Sequence, residues 1–199
     1  MQTIQLKAMT RELCHELYRH WTNDASIYMD MRLFRPHVYD EVAVNRYFDA
    51  KGQDASRRLF AIMLGDTVVG ELQLKQIEHD KKECTLSIHM QNDAVKGKGY
   101  GTQAERLAVK IAFDELGMAA VNADTVMKNT RSQRVLEKAG FRFVGEDGAF
   151  KYYRIERQIW TNLGFHILYA PAYLYSICKS GYGLLPDLRH LAGSRCAGD

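Results

Sequence analysis

The chain of 199 residues is 46% hydrophobic and 26% charged, a composition that allows one well-buried domain with a short appendage. Its 27 basic and 24 acidic residues leave a net charge of +3, which is too small on its own to indicate a nucleic-acid partner. The four cysteines, Cys14, Cys84, Cys178 and Cys196, show neither close pairing nor ligand spacing with histidine, which argues against a disulfide framework and a zinc site.

The first part of the chain predicts a strand and two helices around an irregular segment. Residues 4–9 alternate as a strand, and residues 10–21 begin with a capping threonine and continue as a helix. Residues 22–40 show no sustained period and predict a loop or a broken helix, and residues 41–50 predict a second helix.

Three strands then form an antiparallel meander. Residues 57–64 and 67–74 flank the turn pair Gly65-Asp66 and predict a hairpin. A second turn, at residues 79–82, leads into an alternating run at residues 83–90, which predicts the third strand.

A glycine-rich basic loop joins that third strand to a long helix. The loop reads Val95-Lys96-Gly97-Lys98-Gly99-Tyr100-Gly101-Thr102, and apolar residues behind it recur at helical spacing to about Leu116. Glycines allow a tight turn and close approach of a ligand, while the free amides and macrodipole of a helix N-terminus attract an anion. The spacing fits neither the P-loop nor the dinucleotide fingerprint. Taken alone, the loop is either an anion cradle or a turn that happens to be basic.

The next pattern alternates strand and helix before a closing hairpin. Residues 120–127 predict a strand, and residues 129–140 predict a short helix with its own cap and glycine stop. Residues 141–146 and 150–158 flank an Asp-Gly turn and predict a hairpin. This order predicts an α+β fold in three layers, with a mixed, mostly antiparallel central sheet of about seven strands and helices on both faces.

The tail, residues 159–199, differs in composition from the rest. Residues 159–178 carry no Asp, Glu, Lys or Arg and are long enough to span a bilayer. Interior polar residues and Pro171 disfavour a membrane span, so we predict a helical appendage that packs on its own domain or on a second subunit. Scattered thiols, and the lack of an apolar signal-peptide core in residues 1–7, favour a cytoplasmic protein without a membrane partner.

Two motifs together resemble those of the GNAT superfamily of acyl-CoA N-acyltransferases. The family's loop, Gln/Arg-x-x-Gly-x-Gly/Ala, corresponds to Lys96 through Gly101, with lysine where glutamine or arginine is usual. Its later segment, an asparagine leading into a helix that ends in Gly-Phe, corresponds to Asn129 through Phe141. The resemblance covers about residues 3–158 and is most similar to the branch that contains ribosomal-protein N-terminal acetyltransferases.

The resemblance implies a GNAT-like catalytic domain in residues 1–158 that binds acetyl-CoA as a co-substrate and needs no metal. In this family the loop amides hold the pyrophosphate, and pantetheine lies along the edge of the preceding strand. The matching positions that we expect to bind the co-substrate are Ile88, His89, Met90, Lys96, Gly97, Lys98, Gly99, Tyr100, Gly101, Thr102, Asn129, Arg131 and Ser132.

The resemblance also implies catalytic groups for direct attack of an amine in a ternary complex. Glu83, at the start of the strand, is a candidate base, and Glu71 and His89 are alternatives; each is also compatible with a structural role. The tyrosine acid of many family members is replaced by Leu136. The ribosomal-protein branch instead offers a serine, which matches Ser132 and could equally cap its helix.

These features leave three functions open. The first is an N-acetyltransferase that acts on a primary amine such as a protein N-terminus. The second is an acetyltransferase for a small amine, a polyamine or an aminoglycoside, which acidic residues in the segment 22–41 could attract; in this family that region covers the acceptor site, where Tyr28, Phe34 and Arg35 could line it. The third is a non-catalytic acyl-CoA-binding protein. A homodimer is compatible with the sequence.

Overall fold

The computed structural model describes residues 3–162. Its strands are β1 (Ile4–Ala8), β2 (Arg58–Leu64), β3 (Thr67–Glu78), β4 (Glu83–Met90), β5 (Ala120–Val126), β6 (Arg142–Glu146) and β7 (Phe150–Glu156). Its helices are α1 (Arg11–Arg19), α2 (Glu41–Gly52), α3 (Tyr100–Asp114), α4 (Thr130–Ala139) and α5 (Arg157–Asn162). The strands form one sheet in the order β1-β2-β3-β4-β5-β7-β6, in which only β4 and β5 run parallel. The predicted mixed, mostly antiparallel sheet of seven strands is confirmed.

Helices cover both faces of the sheet, as predicted. α3 packs on one face over a core that includes Leu72, Leu74 and Phe113. α1 and α2 pack on the other face around Leu17 and Val68. Residues of β3 enter both cores, so this central strand is buried on both sides for most of its length.

The parallel strands β4 and β5 pair over only part of their length. Their ladder runs from Glu83 to Leu86 on β4 and then ends. Beyond it, residues 87–90 of β4 and residues 124–126 of β5 are not paired with each other. We call the opening between these two unpaired strand ends the crevice.

Backbone N–H and C=O groups of β4 point into the crevice. The strand stays paired with β3 on its other side, and the N–H of Gln91 donates to Val69. Strand alternation then directs the N–H and C=O groups of Ile88 and Met90 toward the crevice. An extended ligand can pair with such a strand edge through its own amides.

Gly70 of β3 allows β3 and β4 to approach closely beside the crevice. A Cβ at this position would lie 2.6 Å from the carbonyl oxygen of His89 and 3.3 Å from the Cα of Met90. We therefore expect Gly70→Ala to lower the free energy of unfolding by about 1–3 kcal/mol, because backbone atoms must move. Gly145→Ala on β6 is the matched control, since a Cβ there meets nothing within 4 Å. Urea denaturation of both variants measures the difference, and equal stabilities would contradict the close approach.

The irregular segment 22–40 contains two short 3₁₀ turns, Ala25–Ile27 and Met31–Leu33, in place of a regular helix. The side chain of Asp24 caps the first turn, and the side chain of Asp30 caps the second. The prediction of a loop or broken helix here agrees with these turns.

The last predicted strand is shorter in the structure, because β7 ends at Glu156 and α5 begins at the next residue. α5 packs on the domain through Trp160, which is buried, with its ring 6.3 Å from that of Phe113. The remainder of the predicted appendage, residues 163–199, lies outside the described residues. Within residues 3–162, no helix has both the length and the apolar character needed to cross a bilayer.

Candidate active site

The glycine loop turns directly into the N-terminus of α3. Gly97 and Gly99 have φ angles of +74° and +81°, a conformation that L side chains rarely adopt. Gly99 is the N-cap and no described side chain caps the helix, so the amides of Gly101 and Thr102 are available to a ligand. Gly101 lies against α4, where a Cβ would be 3.5 Å from Val135. This is the geometry of an anion cradle.

The basic residues around the loop differ in their surroundings. The ammonium of Lys96 lies 2.9 Å from both Asp24 and Asp93, and its side chain is only 14% exposed. Arg131, in the first turn of α4, approaches the same carboxylates at 3.5 and 3.7 Å. Lys96 therefore fixes the loop in place, whereas Lys98 is exposed at its surface.

Two adjoining cavities lie at the crevice. One, of about 140 Å³, is bordered by the segment Trp21–Asp24 and by the glycine loop. The other, of about 230 Å³, extends between β4 and β5 to Leu86 and the segment Ala123–Val126. The residues that border both cavities are Ile88, His89, Glu105, Asn129 and Ser132.

Most of the residues predicted to bind the co-substrate meet at this place. Four of them, Ile88, His89, Asn129 and Ser132, border both cavities. The predicted residues that border the first cavity alone are Met90, Lys96, Gly101 and Arg131. Gly97, Lys98, Gly99, Tyr100 and Thr102 belong to the cradle beside it and do not border either cavity.

Asn129 and Ser132 stand at the start of α4. Asn129 is the N-cap, and its side-chain oxygen accepts a hydrogen bond of 3.0 Å from the backbone N–H of Ser132. Capping is therefore done by Asn129. The hydroxyl of Ser132 forms no hydrogen bond with the described part of the chain and is left to act on a ligand. Leu136 borders the second cavity as an apolar surface.

His89 lies between the crevice and a buried polar cluster. It stands directly across from Glu71 of β3, and its ring centroid is 6.0 Å from that of Trp21. His89 is exposed at the crevice, and partial desolvation by the surrounding protein lowers the pKa of its imidazole, although the nearby Glu71 carboxylate acts in the opposite direction. The neutral imidazole can accept a proton at this position.

Glu71 is buried in a network that joins β3 to α1 and α2. Its carboxylate accepts hydrogen bonds from the hydroxyls of Tyr18 and Tyr47, at 3.1 and 2.8 Å, and from the amide of Gln73 at 3.0 Å. Burial raises the pKa of both tyrosines, so both hydroxyls remain donors. Glu71 is 2% exposed and borders neither cavity.

Glu83 lies at the closed end of β4, where β4 and β5 still pair. Its carboxylate accepts hydrogen bonds from Arg154 at 2.7 Å and from Asn122 at 3.1 Å, and the Arg154 contact is the main reason that its pKa is lowered. Six residues of extended strand separate it from His89, a distance of roughly 20 Å. The structure therefore does not bring Glu83 to the crevice.

Two contributors to the site were not predicted from the sequence. Glu105 of α3 is fully buried and borders both cavities; its signal in the sequence is a carboxylate on the apolar stripe of a helix. The segment Trp21–Asp24 borders the first cavity, whereas Tyr28, Phe34 and Arg35 border neither. Tyr28 and Phe34 pack edge to face on each other instead, with centroids 5.2 Å apart.

The donor set fits an elongated ligand with an anionic end. The cradle offers amides to phosphate, the β4 edge offers backbone groups to amides, and the cavities receive the far end of such a molecule. In the described part of the chain, no group of three or more His, Cys, Asp or Glu side chains is placed to hold a metal ion.

Comparisons with known proteins agree with this fit. The family model of the acetyltransferase (GNAT) domain matches residues 4–142. A protein of Bacillus subtilis (strain 168), named as a probable N-acetyltransferase, is 38% identical over 80 residues, which span 40% of this chain and 44% of that relative. A spermidine N(1)-acetyltransferase of Escherichia coli (strain K12) is 25% identical over 148 residues, or 72% of this chain and 75% of that protein.

A solved structure shows the same fold. The spermidine N-acetyltransferase of Vibrio cholerae, in complex with CoA and spermine, superposes with a TM-score of 0.66 at 16% identity and covers 80% of this chain and 99% of that one. At this identity the likeness is one of fold alone. Because the family model matches more than half of the sequence, the chain belongs to the GNAT family of acetyltransferases.

Proposed function

We propose that this chain transfers the acetyl group of acetyl-CoA to a primary amine of a small cationic acceptor of the polyamine class. The observation that carries the proposal is the crevice, an open strand edge that begins beside an anion cradle. Relatives and structural neighbours named as spermidine acetyltransferases support the acceptor class.

Acetyl-CoA would be held by three parts of this chain. The amides of Gly101 and Thr102 and the exposed Lys98 would bind its phosphates, and the backbone groups of Ile88 and Met90 would pair with its pantetheine amides. When bound, it supplies an acetyl group activated as a thioester.

Residues around the crevice supply the proton chemistry. We assign the neutral imidazole of His89 to accept the proton that the amine loses as it attacks. The hydroxyl of Ser132 would donate a hydrogen bond toward the sulfur, although an alcohol is a weak proton donor. The buried carboxylate of Glu71, across from His89, favours a cationic acceptor on this side of the sheet.

The competing acceptor is the N-terminal amine of a protein, which the motif in the segment Asn129–Phe141 predicts. Its sequence basis is the Asn-x-x-Ser motif, and the structure does leave the Ser132 hydroxyl facing the cavities. We rank the small amine first because the Escherichia coli relative, which matches 72% of this chain, is named as a spermidine N(1)-acetyltransferase.

An acceptor screen tests the proposal. The purified chain is incubated with acetyl-CoA and either spermidine, an aminoglycoside or a peptide with a free N-terminus, and both free thiol and acetylated product are measured. We expect acetylspermidine, with kcat lowered about 100-fold or more by His89→Asn because proton transfer is lost. Glu83→Gln is expected to lower it far less, since this carboxylate lies outside the crevice.

Three other results would contradict parts of the proposal. Acetylation of the peptide alone would restore the N-terminal acceptor. Tight acetyl-CoA binding without transfer to any amine would favour a non-catalytic acyl-CoA-binding protein. A larger loss of kcat in Glu83→Gln than in His89→Asn would identify Glu83 as the base.

A further inference from the structure

Glu105 is a buried acid without a partner. It lies in the second turn of α3 with 0% exposure, and neither oxygen of its carboxyl group has a hydrogen-bond partner within residues 3–162. Burial raises its pKa well above the usual range and so favours the protonated, neutral form of the side chain. Of the buried carboxyl groups in the described chain, Glu71 accepts three hydrogen bonds and Glu105 accepts none.

The neighbourhood of Glu105 on α3 is apolar. Ala104, Ala108 and Ala112 on the same side of the helix are fully buried, and an apolar residue at position 105 would continue this stripe. A buried polar group without a partner destabilises the fold. Packing therefore gives no reason for a carboxyl group at this position. A ligand in the cavities that Glu105 borders would give one.

Glu105 stands where the two cavities meet. It is one of the five residues that border both, together with His89 and Ser132. A chain that enters from the cradle along the β4 edge toward Leu86 must pass this junction. Glu105 therefore lies beside the part of the crevice where the acyl end of such a ligand would be received, with both carboxyl oxygens enclosed by the protein in this structure.

Titratable and charged groups border the same cavities from the neighbouring elements. They are His89 from β4, Asp124 from β5, Arg131 from α4, and Asp24 and Lys96 from the two loops. None of them forms a hydrogen bond or ion pair with Glu105, and burial is the only cause of its raised pKa. The pKa of Glu105 is thus raised by its apolar surroundings and not by a paired charge.

We propose that Glu105 is the acid that protonates the departing thiolate of coenzyme A. As the amine nitrogen forms its bond to the carbonyl carbon, the carbon–sulfur bond breaks and its electron pair stays on sulfur. The Glu105 carboxyl group gives its proton to that sulfur and becomes a carboxylate. The proton lost by the amine passes to His89 and then to solvent, and Glu105 takes a proton from solvent before the next turnover, so that amide and free thiol are the only products.

This assignment rests on the proposed acetyl transfer and completes its proton balance. A carboxyl group with a raised pKa is still a far stronger acid than the Ser132 hydroxyl, and burial favours its protonated form until a thiolate forms beside it.

Two substitutions at this position separate catalysis from structure. Glu105→Gln keeps the shape but cannot release a proton, and Glu105→Leu continues the apolar stripe. Glu146→Gln, on the exposed surface of β6, is the matched control. For each variant we would measure CoA affinity by calorimetry, kcat for spermidine against pH, and thermal unfolding against pH.

We expect Glu105→Gln to bind CoA within about threefold of the wild type and to lower kcat about 100-fold or more. The wild-type kcat should fall as pH rises through the pKa of Glu105, because the protonated form is active, and this limb should be absent in the variant. Glu105→Leu should be inactive yet more thermostable than the wild type.

Thermal unfolding provides a readout that does not depend on activity. The folded chain holds a proton on Glu105 that the unfolded chain releases, so the wild type should lose stability relative to Glu105→Gln as pH rises above the usual carboxyl pKa.

The outcomes separate this inference from the proposed function. A wild type that transfers no acetyl group overturns the proposed function. A wild type that is active together with an equally active Glu105→Gln overturns the role of Glu105 alone. Loss of CoA affinity with unchanged kcat would also overturn it and assign Glu105 to ligand binding, and loss of stability in Glu105→Leu would assign it to the fold.

Discussion

Gly99→Glu is expected to raise the dissociation constant for acetyl-CoA at least about 100-fold, or about 3 kcal/mol. The new carboxylate would stand at the N-cap of α3, where phosphate has to approach the amides of Gly101 and Thr102. It would repel the phosphates and compete for the same amides. Titration calorimetry with the full chain measures the change.

A matched variant separates charge at the cradle from backbone strain. Gly148→Glu places the same side chain at a glycine with nearly the same φ, +85° against +81°, in the turn between β6 and β7. Both variants carry similar strain, of about 1–2 kcal/mol. We expect Gly148→Glu to bind acetyl-CoA like the wild type. If both variants lost the same affinity for acetyl-CoA, or if Gly99→Glu kept the wild-type affinity, the loop would be only a basic turn.

Glu71→Ala is expected to lower the free energy of unfolding by about 3 kcal/mol. The substitution leaves the hydroxyls of Tyr18 and Tyr47 and the amide of Gln73 without their acceptor inside the protein. Unsatisfied buried donors cost more than the hydrogen bonds contributed. Urea denaturation monitored by tryptophan fluorescence measures the effect.

Glu83→Ala is the control for Glu71→Ala. Glu83 also accepts hydrogen bonds from two side chains, but its side chain is 32% exposed, and water can replace Arg154 and Asn122. We expect a loss of at most about 1 kcal/mol. If the two alanine variants were equally stable, the buried network around Glu71 would not be a major support of the packing between the sheet and α1 and α2.

Regular periodicity made the fold predictable from the sequence. Alternation located the meander of β2, β3 and β4, and helical spacing with a glycine stop located α4. The cradle was predictable as well, because its glycines lie in one short loop that directly joins a strand to a helix along the chain. Patterns of this kind can be predicted because they depend only on residues that are close together in the sequence.

The composition of the site was less predictable, because it depends on contacts between distant segments. Lys96 was expected to bind the co-substrate, but Asp24, 72 residues away, pairs with its ammonium group. Glu83 was a candidate base, but Arg154 and Asn122 hold it at the closed end of the sheet. Where β4 and β5 stop pairing is a property of the folded sheet that no single segment encodes.

The ion pair of Asp24 with Lys96 joins the first cavity to the anion cradle. Asp24 borders the first cavity, and hydrogen bonds from Ser26 and Lys96 lower its pKa to about 2, so it is a carboxylate at all ordinary pH values. If an anion in the cradle drew Lys96 and Arg131 away from Asp24, this carboxylate would be free to attract a cation. Linkage is reciprocal, so a polycationic acceptor bound first would strengthen anion binding by the same factor. Added salt would weaken the binding of both ligands together.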